Sequence, residues 1–241
     1  GNTVGALNAA ETSGGLSFTN SGPLTVSGVN VGGGDATIDA SGAMQVTGLV
    51  TASSGNVFIT AAGGVTINAG VTAGGGVARF FSPVTVGSNE TVTGAPVSFE
   101  SLAIGLHTLT VAGGADLGSA STFSASAAGA TAPGVDYSQL AVPSGSVMLN
   151  DITLNLNVTY SPSVGDALTI VSDPGGTISF TFRGLADGAR FDAGRIDWQI
   201  HYTAHTVTLT VVAVGVSQSS GRTPQPRGQV NQSPPNPPGI R

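Results

Sequence analysis

The sequence predicts an all-β protein: a right-handed parallel β-helix (a solenoid) with a less regular C-terminal β cap and an extended Pro-rich tail. Three observations carry this. Glycine supplies 37 of the 241 residues and charged residues only 8%, so a chain rich in Val, Thr, Ser and Ala has few of the residues that build helices. Apolar residues recur at a long fixed period: Val26, Val46, Ile67 and Val86 stand 20, 21 and 19 apart, and Ile38, Ile59 and Phe80 stand 21 apart. Within each period, short alternating runs such as Leu24-Thr25-Val26, Val29-Asn30-Val31 and Ala36-Thr37-Ile38 are broken by glycines, as strands separated by tight turns would be.

Residues 1–118 form the repeating part. The segments "LTVSGVNVGGGDATIDASGA", "MQVTGLVTASSGNVFITAAGG" and "VTINAGVTAGGGVARFFSP" align with one another, each offering three short strands and three turns to a coil. Coils stacked at about 4.8 Å cover one another's apolar residues, with Val26 over Val46 over Ile67. The glycines at 32–34, 63–64 and 74–76 fall at corners, where positive φ or close approach between coils excludes a Cβ. A β-sandwich is the competing architecture, but its strands would recur every 8–12 residues or so without a 20-residue ladder above them.

Residues 119–216 have longer strands of clearer alternation, as in Ile152-Thr-Leu154-Asn-Leu156-Asn-Val158 and Val207-Thr-Leu209-Thr-Val211. They are expected to continue the helix in larger coils and to close it, because an open end exposes unpaired strand edges. Residues 217–241 hold six of the 13 prolines and read as a linker, stalk or extended arm.

Charge narrows the function. The formal net charge is −6, residues 1–118 carry one Arg against six acids, and the sequence has no Lys. Without a basic face, nucleic acid is not an expected partner. With no Cys, neither disulfides nor thiolate metal sites enter the fold. No apolar run reaches the roughly 20 residues that span a bilayer as a helix. The start at Gly1 reads as a processed protein or a piece of a longer one.

The pieces "GALNAAETSGG", "GGLSFTNSGPLTVSG" and "GNVFITAAGGVTINAG" resemble the haemagglutinin-type repeats of large bacterial exported adhesins. The stretch 122–213, through "GSVMLNDITLNLNV", "YSPSVGDALTIVSD", "FRGLADGARF" and "WQIHYTAHTVTLTVV", is similar to the C-terminal module of autotransporter-associated β-strand repeat proteins. The resemblance implies a secreted or surface-exposed scaffold from a Gram-negative-type bacterium, with no catalytic residue. It departs from that module in having only "TAHT" between Tyr202 and Val207, where an oxygen-rich, calcium-binding turn would stand.

The chemistry-bearing residues give weak patterns. Asp35 and Asp39 lie four apart, about 13 Å on an extended strand, and the next coil puts Asn56 and Thr60 beneath them, so the carboxylate pair that glycosidic chemistry needs is not repeated. Asp187, Asp192 and Asp197 with Arg183, Arg190 and Arg195 read as a solvated loop with surface ion pairs, the alternative being a carbohydrate or cation contact. His201 and His205 could share a metal with Asp197 only if a turn at Thr203-Ala204 brought them together. Phe80, Phe81, Phe180, Phe182 and Trp198 are expected in the core or cap, since a sugar-stacking platform would need them exposed in a row. Asn89, Asn157 and Asn231 begin N-x-Ser/Thr triplets, which serve only a host with the glycosylation machinery. No catalytic, cofactor-binding or metal-binding residue is assigned.

The expectation is therefore a non-enzymatic, extracellular structural or adhesive rod, roughly 30–55 Å long, that associates with itself or with other cell-surface proteins. The alternatives are an accessory subunit of a larger envelope complex and a polysaccharide-binding or polysaccharide-cleaving β-helix.

Overall fold

The structure is a computed structural model that describes residues 3–118 and 122–215; these residues contain 23 strands and no helix. The tail 217–241 lies outside the described residues. The first strands are β1 (Ala6–Glu11), β2 (Leu16–Asn20), β3 (Leu24–Val31), β4 (Ala36–Ala40), β5 (Met44–Val46), β6 (Val50–Ala52), β7 (Val57–Ala61), β8 (Val65–Ile67) and β9 (Val71–Ala73). They are followed by β10 (Ala78–Val86), β11 (Glu90–Thr93), β12 (Val97–Ala103), β13 (Thr108–Ala112), β14 (Ala115–Leu117), β15 (Thr122–Ala127) and β16 (Gln139–Ser144). The last are β17 (Val147–Met148), β18 (Thr153–Val158), β19 (Ala167–Ser172), β20 (Ile178–Ser179), β21 (Arg190–Ala193), β22 (Ile196–Tyr202) and β23 (Thr206–Val214).

The chain winds as a parallel β-solenoid with three sheet faces. The first face stacks β2, β4, β7, the start of β10, the start of β12, β14, β17 and β20 in parallel. The second stacks the starts of β1 and β3, then β5, β8, the ends of β10 and β12, β15 and β18. The third stacks the ends of β1 and β3, then β6, β9, β11, β13, β16 and β19.

The long period seen in the sequence is the length of one turn. Along the second face, Leu7↔Val26, Val26↔Val46, Val46↔Ile67, Ile67↔Val86, Val84↔Leu102 and Leu102↔Phe123 are register partners, so six successive turns take 18–21 residues. The turns then lengthen: Phe123↔Leu154, Leu109↔Leu140 and Leu140↔Val171 are each 31 apart. The added residues lie in the corners between β15 and β16 and between β18 and β19. Strand pairing passes through the change without interruption.

Side chains that alternate along each strand divide into an apolar inside and a polar outside. On the first face, Ala36, Val57, Ala78, Val97, Ala115 and Val147 stack in register, small and large side chains alternating in the core. Beside them run Ile38, Ile59, Phe80, Phe99 and Leu117, where the Phe80 and Phe99 rings stack 5.3 Å apart and 5° from parallel. Outward on the third face stand Asn30, Thr51, Thr72 and Thr93. The corners are tight: a Cβ on Gly75 would sit 2.1 Å from the carbonyl oxygen of Ser54 in the turn before it, so close approach excludes a side chain there.

Few polar side chains enter the interior. Buried Asn20 ties a corner together by accepting from Val4 N (2.9 Å) and donating to the carbonyls of Val4 (3.1 Å) and Pro23 (2.9 Å). Ser82 Oγ accepts from Ala61 N at 2.7 Å. Hydrogen bonding offsets the cost of burying these groups.

The C-terminal cap differs in kind from the coils before it. Strand β23 pairs antiparallel with β19 on the third face, β22 pairs antiparallel with β23, and β21 with β22. Short connections enforce the β21–β22 and β22–β23 pairings, because parallel strands need a crossover of a dozen or more residues. Gly194 and Arg195, at φ 68° and 66°, form the two-residue link between β21 and β22, the conformation that primed hairpin turns require. The "TAHT" segment makes the next turn: Thr203 Oγ1 accepts from His205 N (3.1 Å) and Thr206 N (2.9 Å). Trp198 is fully buried and donates Nε1–H to Ala193 O at 3.4 Å.

Candidate functional site: an open cleft on the enlarged turns

The residues singled out from sequence are spread over the surface. Asp39 pairs in register with Thr60, and Asp35 Oδ1 accepts from Asn56 N (2.8 Å) and Asn56 Nδ2 (2.9 Å), so both acids belong to ladders whose next member is neutral. Asn56 Oδ1 accepts in turn from Val77 N at 2.9 Å, and this file is a set of links between turns. The second-half charges divide. Arg190 pairs with Asp197 across β21 and β22, while Arg183 meets Asp151 at 3.3 Å, outside the expected cluster. Asp187 accepts from Tyr202 N at 2.9 Å and lies 2.7 Å from His201 Nδ1. The Tyr202 amide, with His201 adding to it, holds the Asp187 carboxyl below its ordinary range.

The two histidines are parted by the turn itself. His201 faces Asp187, and His205 Nδ1 lies 3.0 Å from Asp173 O. Among the described residues no three His, Cys, Asp or Glu side chains gather as a metal group would. Asn89 Oδ1 accepts from Thr108 N at 2.7 Å, Asn157 is exposed on β18, and Asn231 lies outside the described residues.

The aromatic residues require a correction. Phe80, Phe182 and Trp198 are buried, but Phe81 and Phe180 are 46% and 63% exposed. Phe81 follows Phe80 on a strand, and the period of two sends it outward, where it lies 6.3 Å from Phe58 with the Arg79 guanidinium 4.9 Å from its ring centre. Phe180 and Phe182 would share a face in continuous strand. Phe180 instead sits at φ 68°, which breaks the alternation and turns its ring outward while Phe182 packs 5.6 Å from Phe123.

Around Phe180 lies an open cleft of about 750 Å³ lined by Asp116, Gly118, Asn150, Asp151, Phe180 and Thr181. Its walls come from three successive turns of the first face, since Asp116 pairs with Met148 and Met148 with Ser179. Each strand ends at the same corner, so the residues leaving β14, β17 and β20 are stacked there. Arg183 N donates to Ile152 O at 2.9 Å and fixes the Phe180 segment under the Asn150–Ile152 turn. Asn150 Nδ2 donates to Asp116 Oδ1 at 2.7 Å, which joins the first wall to the second.

Three lining residues have left-handed backbone: Asn150 (φ 48°), Asp151 (φ 58°) and Phe180 (φ 68°). Asn and Asp adopt this conformation readily, whereas for Phe it costs on the order of 1–2 kcal/mol. Sequence reasoning missed the cleft. The available signal was the Asn150-Asp151 dipeptide between two strands, a pair that favours left-handed turns.

No helix among the described residues is long and apolar enough to cross a membrane. Neither a protein-family model nor a curated protein matches the chain, so the likeness to haemagglutinin-type repeats rests on the residues quoted for it.

Proposed function

We propose that this protein is an extracellular, non-enzymatic structural or adhesive scaffold, acting through its shape and through association with itself or with a cell surface. The observation that carries the reading is the unbroken parallel ladder, in which each turn covers the apolar residues of the next and leaves flat outer rows of hydroxyl and amide side chains. Besides the Asn30 row, the second face presents Thr25, Gln45, Thr66 and Thr85 in register. Such rows offer repeated hydrogen-bonding groups on a backbone already ordered, so contact with a second surface costs little further conformational entropy. The resemblance to exported repeats supports the outer envelope of a Gram-negative-type bacterium as its location.

The test is immunogold electron microscopy of intact source cells, followed by microscopy of the purified protein. Label on unpermeabilised cells and rods or filaments in the purified material are the expected results. Label appearing only after permeabilisation would overturn the location. Single particles found always beside unrelated chains would replace the scaffold with an accessory subunit of a larger envelope complex.

A further inference from the structure

The cleft lined by Asp116, Asn150, Asp151, Phe180 and Thr181 combines two features that a purely structural corner does not need. An aromatic ring is held in solvent, 63% exposed, on a backbone conformation that disfavours it. Beside it stand two carboxylates, an amide and a hydroxyl, drawn from three consecutive turns and cross-linked by the Asn150–Asp116 hydrogen bond. We propose that this cleft binds a neutral pyranose unit of a glycan.

The chemistry of the walls selects that class. A pyranose presents a face of C–H groups, which packs on an aromatic ring, and an edge of vicinal hydroxyls, which donate to paired acceptors. Phe180 supplies the ring. Asn150 gives one of its two Nδ2 hydrogens to Asp116 Oδ1, which leaves its second N–H as a donor and its carbonyl oxygen and Asp116 Oδ2 as acceptors for a sugar hydroxyl. Asp151 Oδ2 accepts from Arg183 Nε at 3.3 Å, and its other oxygen extends the acceptor row. An acidic sugar or a phosphate is disfavoured because the lining holds two carboxylates, of which Arg183 offsets only that of Asp151, and the whole chain carries −6. A volume of about 750 Å³ falls in the range of small-ligand sites, and the openness of the cleft to solvent suits one unit within a longer chain.

The inference stands apart from the scaffold reading, which rests on the ladder and is tested by microscopy. Its own test is native electrophoresis of the full chain through gels containing a neutral glucan, mannan, galactan or xylan, with polygalacturonate as the acidic comparison. Isothermal titration with matching oligosaccharides follows. Retardation by at least one neutral polysaccharide is expected. Phe180→Gly should weaken binding at least tenfold while the melting temperature stays level or rises, since glycine accepts the backbone angle. Asp151→Asn should weaken binding at least threefold, and Phe81→Ala, on another part of the solenoid, should bind as the native chain does.

Absence of retardation by every neutral polysaccharide would overturn the proposal, as would retardation by polygalacturonate alone. So would full binding by Phe180→Gly. If Phe180→Gly instead melts early, Phe180 is a packing residue, and unchanged binding by Asp151→Asn would then dispose of the site.

Discussion

Asp173 is the least comfortable side chain in the interior. It is fully buried, and neither carboxyl oxygen accepts a hydrogen bond of good geometry, the nearby Gly176 and Val147 amides being poorly aligned to donate, although its main chain is tied to the cap through Asp173 N to His205 O at 2.8 Å. Burial pushes its carboxyl above the ordinary carboxylate range, against the opposing pull of the Gly176 and Val147 amides and of His205. A folded-state value above the unfolded one means that the native state holds the proton more tightly. Stability from this group is therefore present below the ordinary value of about 3.9 and is lost as pH rises through the raised folded value. Asp173→Asn should raise the melting temperature near about pH 7 and change it little near about pH 3, which thermal denaturation at the two pH values would show. A second residue-scale expectation concerns the stacked rings. Phe99→Ala removes the partner of Phe80 and leaves a cavity in the shared core, so chemical denaturation should report a loss of about 3–5 kcal/mol. A loss below about 1 kcal/mol would mean that neighbouring turns close the gap.

Among the elements, the three-stranded cap has the clearest separate task. Strand β23 covers the free edge of β19 in antiparallel pairing, and the tip of the β22–β23 hairpin meets β20 through Ile178 N to Ala204 O at 2.9 Å. Removing residues 186–215 would expose that edge and the inward side chains of β19, among them Leu168 and Ile170. The truncated chain should aggregate at concentrations where the full chain does not, and light scattering during refolding would check it. Much of the solenoid was legible in the sequence because Val26, Val46 and Ile67 repeat the environment of one another, so a structural period became a period in residue type. The antiparallel cap was not, since alternation as in Val207-Thr-Leu209-Thr-Val211 is the same for parallel and antiparallel strands. The cleft was hidden for a related reason. Alternation assigns Phe180 and Phe182 to one face, and only a local backbone reversal separates them.

For the whole molecule, cohesion comes from apolar stacking along the axis and from main-chain hydrogen bonds between turns, with charge at the margin. The pairs Arg183–Asp151 and His201–Asp187 have side chains more than half exposed, where salt screens them and each contributes little. Between about 0.05 and 0.5 M sodium chloride the melting temperature should therefore shift by less than about 3 °C. A larger fall at high salt would show that the electrostatic contribution has been underestimated.

The passage from turns of 18–21 residues to turns of 31 occurs with every strand still in its file. What is conserved along the axis is thus the sequence of rungs, while the amount of chain between rungs is free. Corners such as 128–138 and 159–166 then act as sites of permitted variation. Segments of unrelated sequence could be lengthened, exchanged or grafted there, and the rigid body beneath would carry them outward at a fixed height.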